Sequence, residues 1–140
     1  MTTRTDDPLR YVVETSRSVN ETQEAVTAVA RGHAFGVLHV YDMKQTLKGK
    51  GFELEPEVRV LELCSPSHAH QVLKTQVDMN LALPCRISIW QEGGVTNIGM
   101  IRPKAMLEML TEDAVLRVVA DEVEGAMVAI IDEVSGLPTT

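Results

Sequence analysis

The residues of this chain that could do chemistry gather where a strand-like run hands over to a helical one. In LELCSPSHAHQVL, residues 61–73, the apolar run ends at Cys64, Pro66 follows, and His68 and His70 come next. Proline suits the first turn of a helix, where its missing N–H costs nothing. If Pro66 opens a helix, Cys64 and Ser65 sit at its N-terminal edge. Unpaired N–H groups and the positive end of the dipole favour a thiolate there. His68 and His70 are two positions apart and cannot share a helix face, so only one of them faces the thiol. Cys85 opens a second strand-like run, CRISIWQ, much as Cys64 closes the earlier one. If those two strands are antiparallel neighbours, both thiols lie at one end of the sheet. Cys64, Cys85 and one imidazole would then make a soft two-sulfur, one-nitrogen set, of the kind that suits Zn²⁺ or copper. The 20 residues between the cysteines are not the CxxC spacing of a dedicated zinc site. The plainer alternative is two packed thiols acting as small hydrophobes.

Other residues have plainer readings beside functional ones. His39 reads as a half-buried strand histidine. Trp90 reads as filler of a sheet face that could also floor a ligand pocket or a dimer contact. Lys44, Lys48 and Lys50 read as a solvated face, and the acids from Glu112 to Glu133 as the wet side of a last helix. No P-loop, HExxH, GxSxG or EF-hand pattern is present, and nothing in the sequence marks Ser65 or Ser67 as a nucleophile.

The elements that must position these residues follow from periodicity. Residues 1–9 read as a mobile arm, residues 10–134 as one domain and residues 135–140 as a tail. YVVET from Tyr11 is the first strand. A helix follows, with a capping box from Asn20 and Gln23 or from Ser18 and Glu21, and with Gly32 as its stop. Phe35 to Asp42 is a strand whose alternation puts Phe35, Val37, His39 and Tyr41 on one face. A short helix, MKQTLK, precedes the strand Glu57 to Cys64. The helix opened by Pro66 runs to about Met79, and LALP connects it to the strand from Cys85. Gly93 and Gly94 turn a hairpin into VTNIGMI. Pro103 opens a short helix. The last helix spans about Glu112 to Glu133, with the apolar stripe Val115, Val119, Val123, Met127 (or Ala126), Ile130 and Val134. This order predicts an α+β sandwich: a mostly antiparallel, five-stranded sheet with helices packed on one face, in β-α-β-β-α-β-β-α order.

Bulk properties bound the partners. The 140 residues are 44% apolar and 24% charged, enough for one self-sufficient core. Only five aromatic residues are present, so aliphatic side chains must fill it. The net charge of −7 argues against nucleic acid as partner. No run approaches a membrane span, and MTTRTDDPLR has no apolar leader region. A cytoplasmic location with two reduced thiols is expected.

FGVL at Phe35 to Leu38 with Asp42, TLK at Thr46 to Lys48, the turn containing Cys64, Pro66, Ala69 and His70, and LALPC at Leu81 to Cys85 stand in one order. These motifs resemble the family called domain of unknown function 302, over about residues 10–133. The family usually has Asn where this chain has Ser65. The resemblance implies an α+β fold grouped with the TATA-binding-protein-like class, a likeness of shape only, and it implies a homodimer. It marks Cys64, His70 and Cys85 as motif positions, which ranks His70 above His68 as the thiol's partner, and it implies no activity.

Three functions compete on this sequence. The favoured one is a small dimeric binding protein. It would hold a soft metal ion (Zn or Cu), a metal cofactor or a small sulfur ligand in a cleft of Cys64, His70 and Cys85, with Trp90 as a further contact. The second is a thiol enzyme for redox or sulfur transfer, with Cys64 attacking and Cys85 resolving. The third is a structural or adaptor domain without a site.

Overall fold

Alternation along the strands decides which side of the sheet is dry. In β2 (Arg10–Thr15), Tyr11, Val13 and Thr15 are buried while Arg10, Val12 and Glu14 are not. In β5 (Cys85–Glu92), Cys85, Ile87 and Ile89 are buried while Arg86, Ser88 and Trp90 are not. The computed structural model describes residues 4–136. It adds β1 (Arg4–Asp6), β3 (Gly36–Asp42), β4 (Val58–Cys64) and β6 (Val95–Ile101). The sheet is six-stranded, in the order β1-β2-β6-β5-β4-β3, and every pairing in it is antiparallel. Helices α1 (Val19–Arg31) and α5 (Ala114–Ser135) pack on its dry face. Helices α3 (Pro66–Thr75) and α4 (Pro103–Leu110) lean on α5, and the short α2 (Met43–Lys48) buries nothing. The fold is therefore α+β with helices on an antiparallel sheet, as the strand and helix periods require.

The expected five strands become six because the arm is not loose. β1 pairs with β2 through a turn in which the Asp7 carboxylate accepts from the backbone N–H groups of Leu9 and Arg10. An aspartate before a proline is a turn former of this kind. Arg102 then ties the arm down. Its guanidinium donates to the Asp7 carbonyl, to the Asp6 carboxylate and to Glu124 on α5. Residues 1–3 of the expected arm and 137–140 of the expected tail lie outside the described residues. Ser135 still belongs to α5, and Gly136 closes that helix in the left-handed region, at φ 84°.

Local signals place most helix ends. Ser18 and Glu21 form the capping box of α1, each side chain meeting the other's backbone N–H. α1 ends at Arg31 with Gly32 as its cap, as expected; Gly32 stays right-handed, and the left-handed residue of the exit is Ala34 (φ 60°). The N–H of Phe35 then bonds back to the carbonyl of Ala30 and sends Phe35 into the core. Asp113 caps α5 by accepting from Val115 and Leu116. The expected stripe holds at Val119, Val123, Met127, Ile130 and Val134, and differs only in the first turn, where Leu116 is buried and Val115 is exposed. Gly93 and Gly94 both have positive φ, as the tight turn between β5 and β6 demands.

One buried polar contact fixes α5 against the sheet. The Tyr11 hydroxyl donates to Asp132 at 2.5 Å, and both residues are more than nine-tenths buried. Burial, and then the neighbouring Asp132, push the Tyr11 phenol above its ordinary value, so it remains a donor at neutral pH. Tyr11→Phe strands the carboxylate of Asp132 in the core. The expected loss is about 1–3 kcal/mol of unfolding free energy, read from urea melts. An unchanged midpoint would mean that Asp132 does not depend on this hydroxyl.

Candidate functional site

The junction of β4 and α3 lies beside the start of β5. Leu63 pairs with Cys85 across the two strands, so the cysteine-bearing ends are neighbours, as antiparallel pairing requires. Pro66 occupies the first turn of α3, and Ser65 is the residue before it, in extended conformation. Between these ends, α3, α4 and α5 leave a half-enclosed cavity of ≈ 240 Å³. Leu63, Cys64 and Ser65 supply one wall, and His68, Ala69, Val72 and Leu73 of α3 supply another. Phe35, Asn80, Leu83, Pro84, Cys85, Leu107 and Val123 close the rest, and the exposed wall is almost wholly apolar. The Leu83–Pro84 peptide that contributes to it is cis.

The two thiols share this cavity with different characters. Cys85 is 6% exposed and faces the helices beside Leu63. Burial, and then the proximity of Cys64, push its thiol up to about 11. It is a neutral, packed thiol at physiological pH. Cys64 is half-buried. It has the strand parity of Val60 and Glu62 rather than that of the inward Leu61 and Leu63. Both cysteines are free.

Of the two histidines, His68 is the one at the cavity. Its Nδ1 lies 2.9 Å from Ser65 Oγ, and its Nε2 lies 3.1 Å from a carboxylate oxygen of Glu122 on α5. The Phe35 ring flanks it, with centroids 6.5 Å apart. His70, the partner expected for Cys64, is exposed and lines no part of the cavity. The helix rotation explains this: two residues on from His68 is about 200° around the axis, away from the sheet.

Trp90 also lies elsewhere. It occupies the uncovered face of the sheet, between Val58 and Asn97, and donates to Glu92. It neither floors the cavity nor touches the thiols. His39 is on that open face as well, edge-on to Tyr41 at 4.4 Å. A bulge between Val37 and His39 separates it from the face it was expected to share with Phe35 and Val37, and Val40 is the partly buried residue there.

The soft-metal set therefore does not assemble. Of its three members, Cys85 is a buried neutral thiol and His70 is outside the cavity. Among the described residues, no three His, Cys, Asp or Glu side chains group so as to hold a metal ion. What sequence reasoning missed is the hydrogen-bonded chain Ser65–His68–Glu122. The i, i+3 spacing of Ser65 and His68 was a usable signal for its first link, but Glu122 is 54 residues further on and carried none.

Comparisons with known proteins agree with this architecture. The family model described as domain of unknown function DUF302 matches residues 11–134. A crystal structure of an uncharacterised conserved DUF302 protein from Bacillus stearothermophilus is 31% identical and superposes with a TM-score of 0.84. The match covers 89% of this chain and 96% of that one. No curated protein matches the chain. No helix among the described residues is long and apolar enough to cross a membrane.

Proposed function

Because this chain belongs to the family of domain of unknown function DUF302, a family whose description supplies no activity, we propose from the site alone that it is a small-molecule binding protein. Its ligand is a compact, predominantly apolar molecule seated between β4, β5 and α3. The observation that carries this reading is the ≈ 240 Å³ cavity with its nearly all-carbon wall. An apolar cavity of about 150 Å³ is enough for benzene, so this one suits a ligand of about ten heavy atoms. A few polar atoms at its margin, the Cys64 thiol and the Ser65 and His68 side chains, would orient that ligand, as a few placed polar groups do in most binding pockets. A sulfur-containing or thiol-reactive small molecule fits the same wall. The metal version of the expectation loses its support with His70 outside the cavity. The resolving role for Cys85 loses its support with a thiol pushed up to about 11.

Titration with 1-naphthol tests the reading. Saturable binding at one molecule per chain is the expected result. Absence of any heat or shift up to the solubility of the probe would refute it.

We keep a homodimer and a reducing, cytoplasmic setting as part of this proposal. The free thiols fit the latter. The uncovered sheet face, which carries Tyr41 and Trp90, is the surface we assign to a second copy. Sedimentation should give twice the chain mass, with Trp90 emission shifting red on dilution. A monomer at all concentrations would remove the dimer. The grouping with the TATA-binding-protein-like class remains a likeness of shape, and a charge of −7 opposes any DNA role.

A further inference from the structure

We propose that Ser65, His68 and Glu122 form a nucleophile, base and carboxylate relay that hydrolyses small esters whose apolar part occupies the cavity. The inference rests on the binding reading above for where that apolar part sits. Its own support is the hydrogen-bond chain. Ser65 is the residue before the first turn of α3, where a serine hydroxyl ordinarily accepts from a backbone N–H two or three residues on. Here it accepts no such bond, and its Oγ instead lies 2.9 Å from His68 Nδ1. On the far side of the ring, Nε2 lies 3.1 Å from the Glu122 carboxylate. A carboxylate only accepts, so Nε2 carries the proton and Nδ1 is the acceptor facing the hydroxyl. This is the arrangement that makes a serine nucleophilic, with the two ring nitrogens exchanged relative to the serine protease triad.

Burial and the helix end complete the arrangement. Ser65 is 4% exposed and lines the cavity, so its hydroxyl is shielded from bulk water at the margin of the apolar wall. The leading N–H groups of α3, on Ser67 and His68, have no acceptor inside the helix, and the Ser65 side chain does not cap them. Of the two, only His68 lines the cavity, so its N–H is the one we assign to a developing oxyanion. The chemistry balances without a redox partner. Ser65 Oγ attacks the ester carbonyl while His68 Nδ1 takes its proton, and Glu122 stabilises the imidazolium. The bond to the leaving alkoxide breaks, and the alkoxide takes the proton from Nδ1. Water then attacks the acyl-serine, its proton passing through His68, and releases the acid with Ser65 restored.

Hydrolysis of p-nitrophenyl butyrate and labelling by a fluorophosphonate, with the label located by peptide mass, test the relay. The expected result is label on Ser65, lost in Ser65→Ala. His68→Gln should lower kcat by about 10²- to 10⁴-fold. Glu122 is exposed and acts through His68, so Glu122→Gln should fold normally and lower kcat with KM unchanged, and Glu122→Asp should restore part of it. These two variants keep the test decisive even if Ser65→Ala fails to fold. No label and no turnover in protein that binds 1-naphthol would overturn the relay and leave the cavity reading standing. Label or acyl group on Cys64 instead of Ser65 would overturn it as well. Ser65 labelling without 1-naphthol binding would support the relay and refute the cavity reading.

Discussion

Ala69→Phe is expected to weaken 1-naphthol binding by about 10- to 100-fold without unfolding the protein. Ala69 sits on the cavity side of α3, half-buried, one residue after His68. A benzyl group built there enters the ≈ 240 Å³ of empty space instead of displacing packed atoms. Filling a void of this kind is tolerated where overpacking a full core is not. The ligand then loses the burial of roughly one ring. Burying a ring-sized side chain is worth about 1.5–3 kcal/mol, and each 1.4 kcal/mol is about tenfold in affinity. Calorimetry on both proteins gives the ratio, and urea melts check that the fold survives. Equal affinities would place the ligand outside this cavity.

The second large effect is a loss of stability at alkaline pH. The Cys85 thiol is raised from 9.0 to about 11, first by burial and then by Cys64. Between those values the unfolded chain has released this proton and the native protein still holds it. Stability therefore falls as pH rises through the window. The contribution is fully present below pH 9.0 and gone above about pH 11. At about 1.4 kcal/mol for each pKa unit, the loss from this one group is on the order of 3 kcal/mol. Urea melts from pH 8 upward should show the decline in the wild type, and the decline should be shallower in Cys85→Ala. That variant starts from a lower stability because it leaves a small void, so the slopes and not the absolute values are compared. Parallel slopes would mean that Cys85 does not titrate against burial.

The strand and helix periods made most of this fold legible, and the exceptions have local causes. β2, β4, β5 and β6 follow from alternation, and the α3 start follows from Pro66. β1 was hidden because its three residues, Arg4 to Asp6, are all exposed and give no apolar signal. They are held by pairing with β2 and, at the Asp6 end, by Arg102, nearly a hundred residues away. In β3, the bulge after Val37 broke the alternation that had placed His39 on one face with Phe35 and Val37. Along α5 the expected stripe holds from Val119 to Val134, and only in the first turn does Leu116 stand in the core where Val115 was expected.

At the site, the meeting of the Cys64 and Cys85 strand ends was readable from order and hairpin logic. Which histidine would face inward was not, because that depends on the rotational phase of α3 over the sheet. The motif resemblance pointed to His70, a position that the fold leaves exposed. Glu122 reaches the site only through the packing of α5 against α3, a tertiary fact with no local trace. Trp90 was readable as a sheet-face residue, but parity alone could not say that its face is the uncovered one.

The most direct test of the central claim is a map of methyl and amide NMR shifts on adding 1-naphthol to the wild-type protein. Perturbations confined to Ala69, Val72, Leu73, Leu83, Leu107 and Val123, with the Trp90 indole unmoved, are the predicted result. Shifts centred on the open sheet face around Trp90 and Tyr41, with those methyls unmoved, would contradict it.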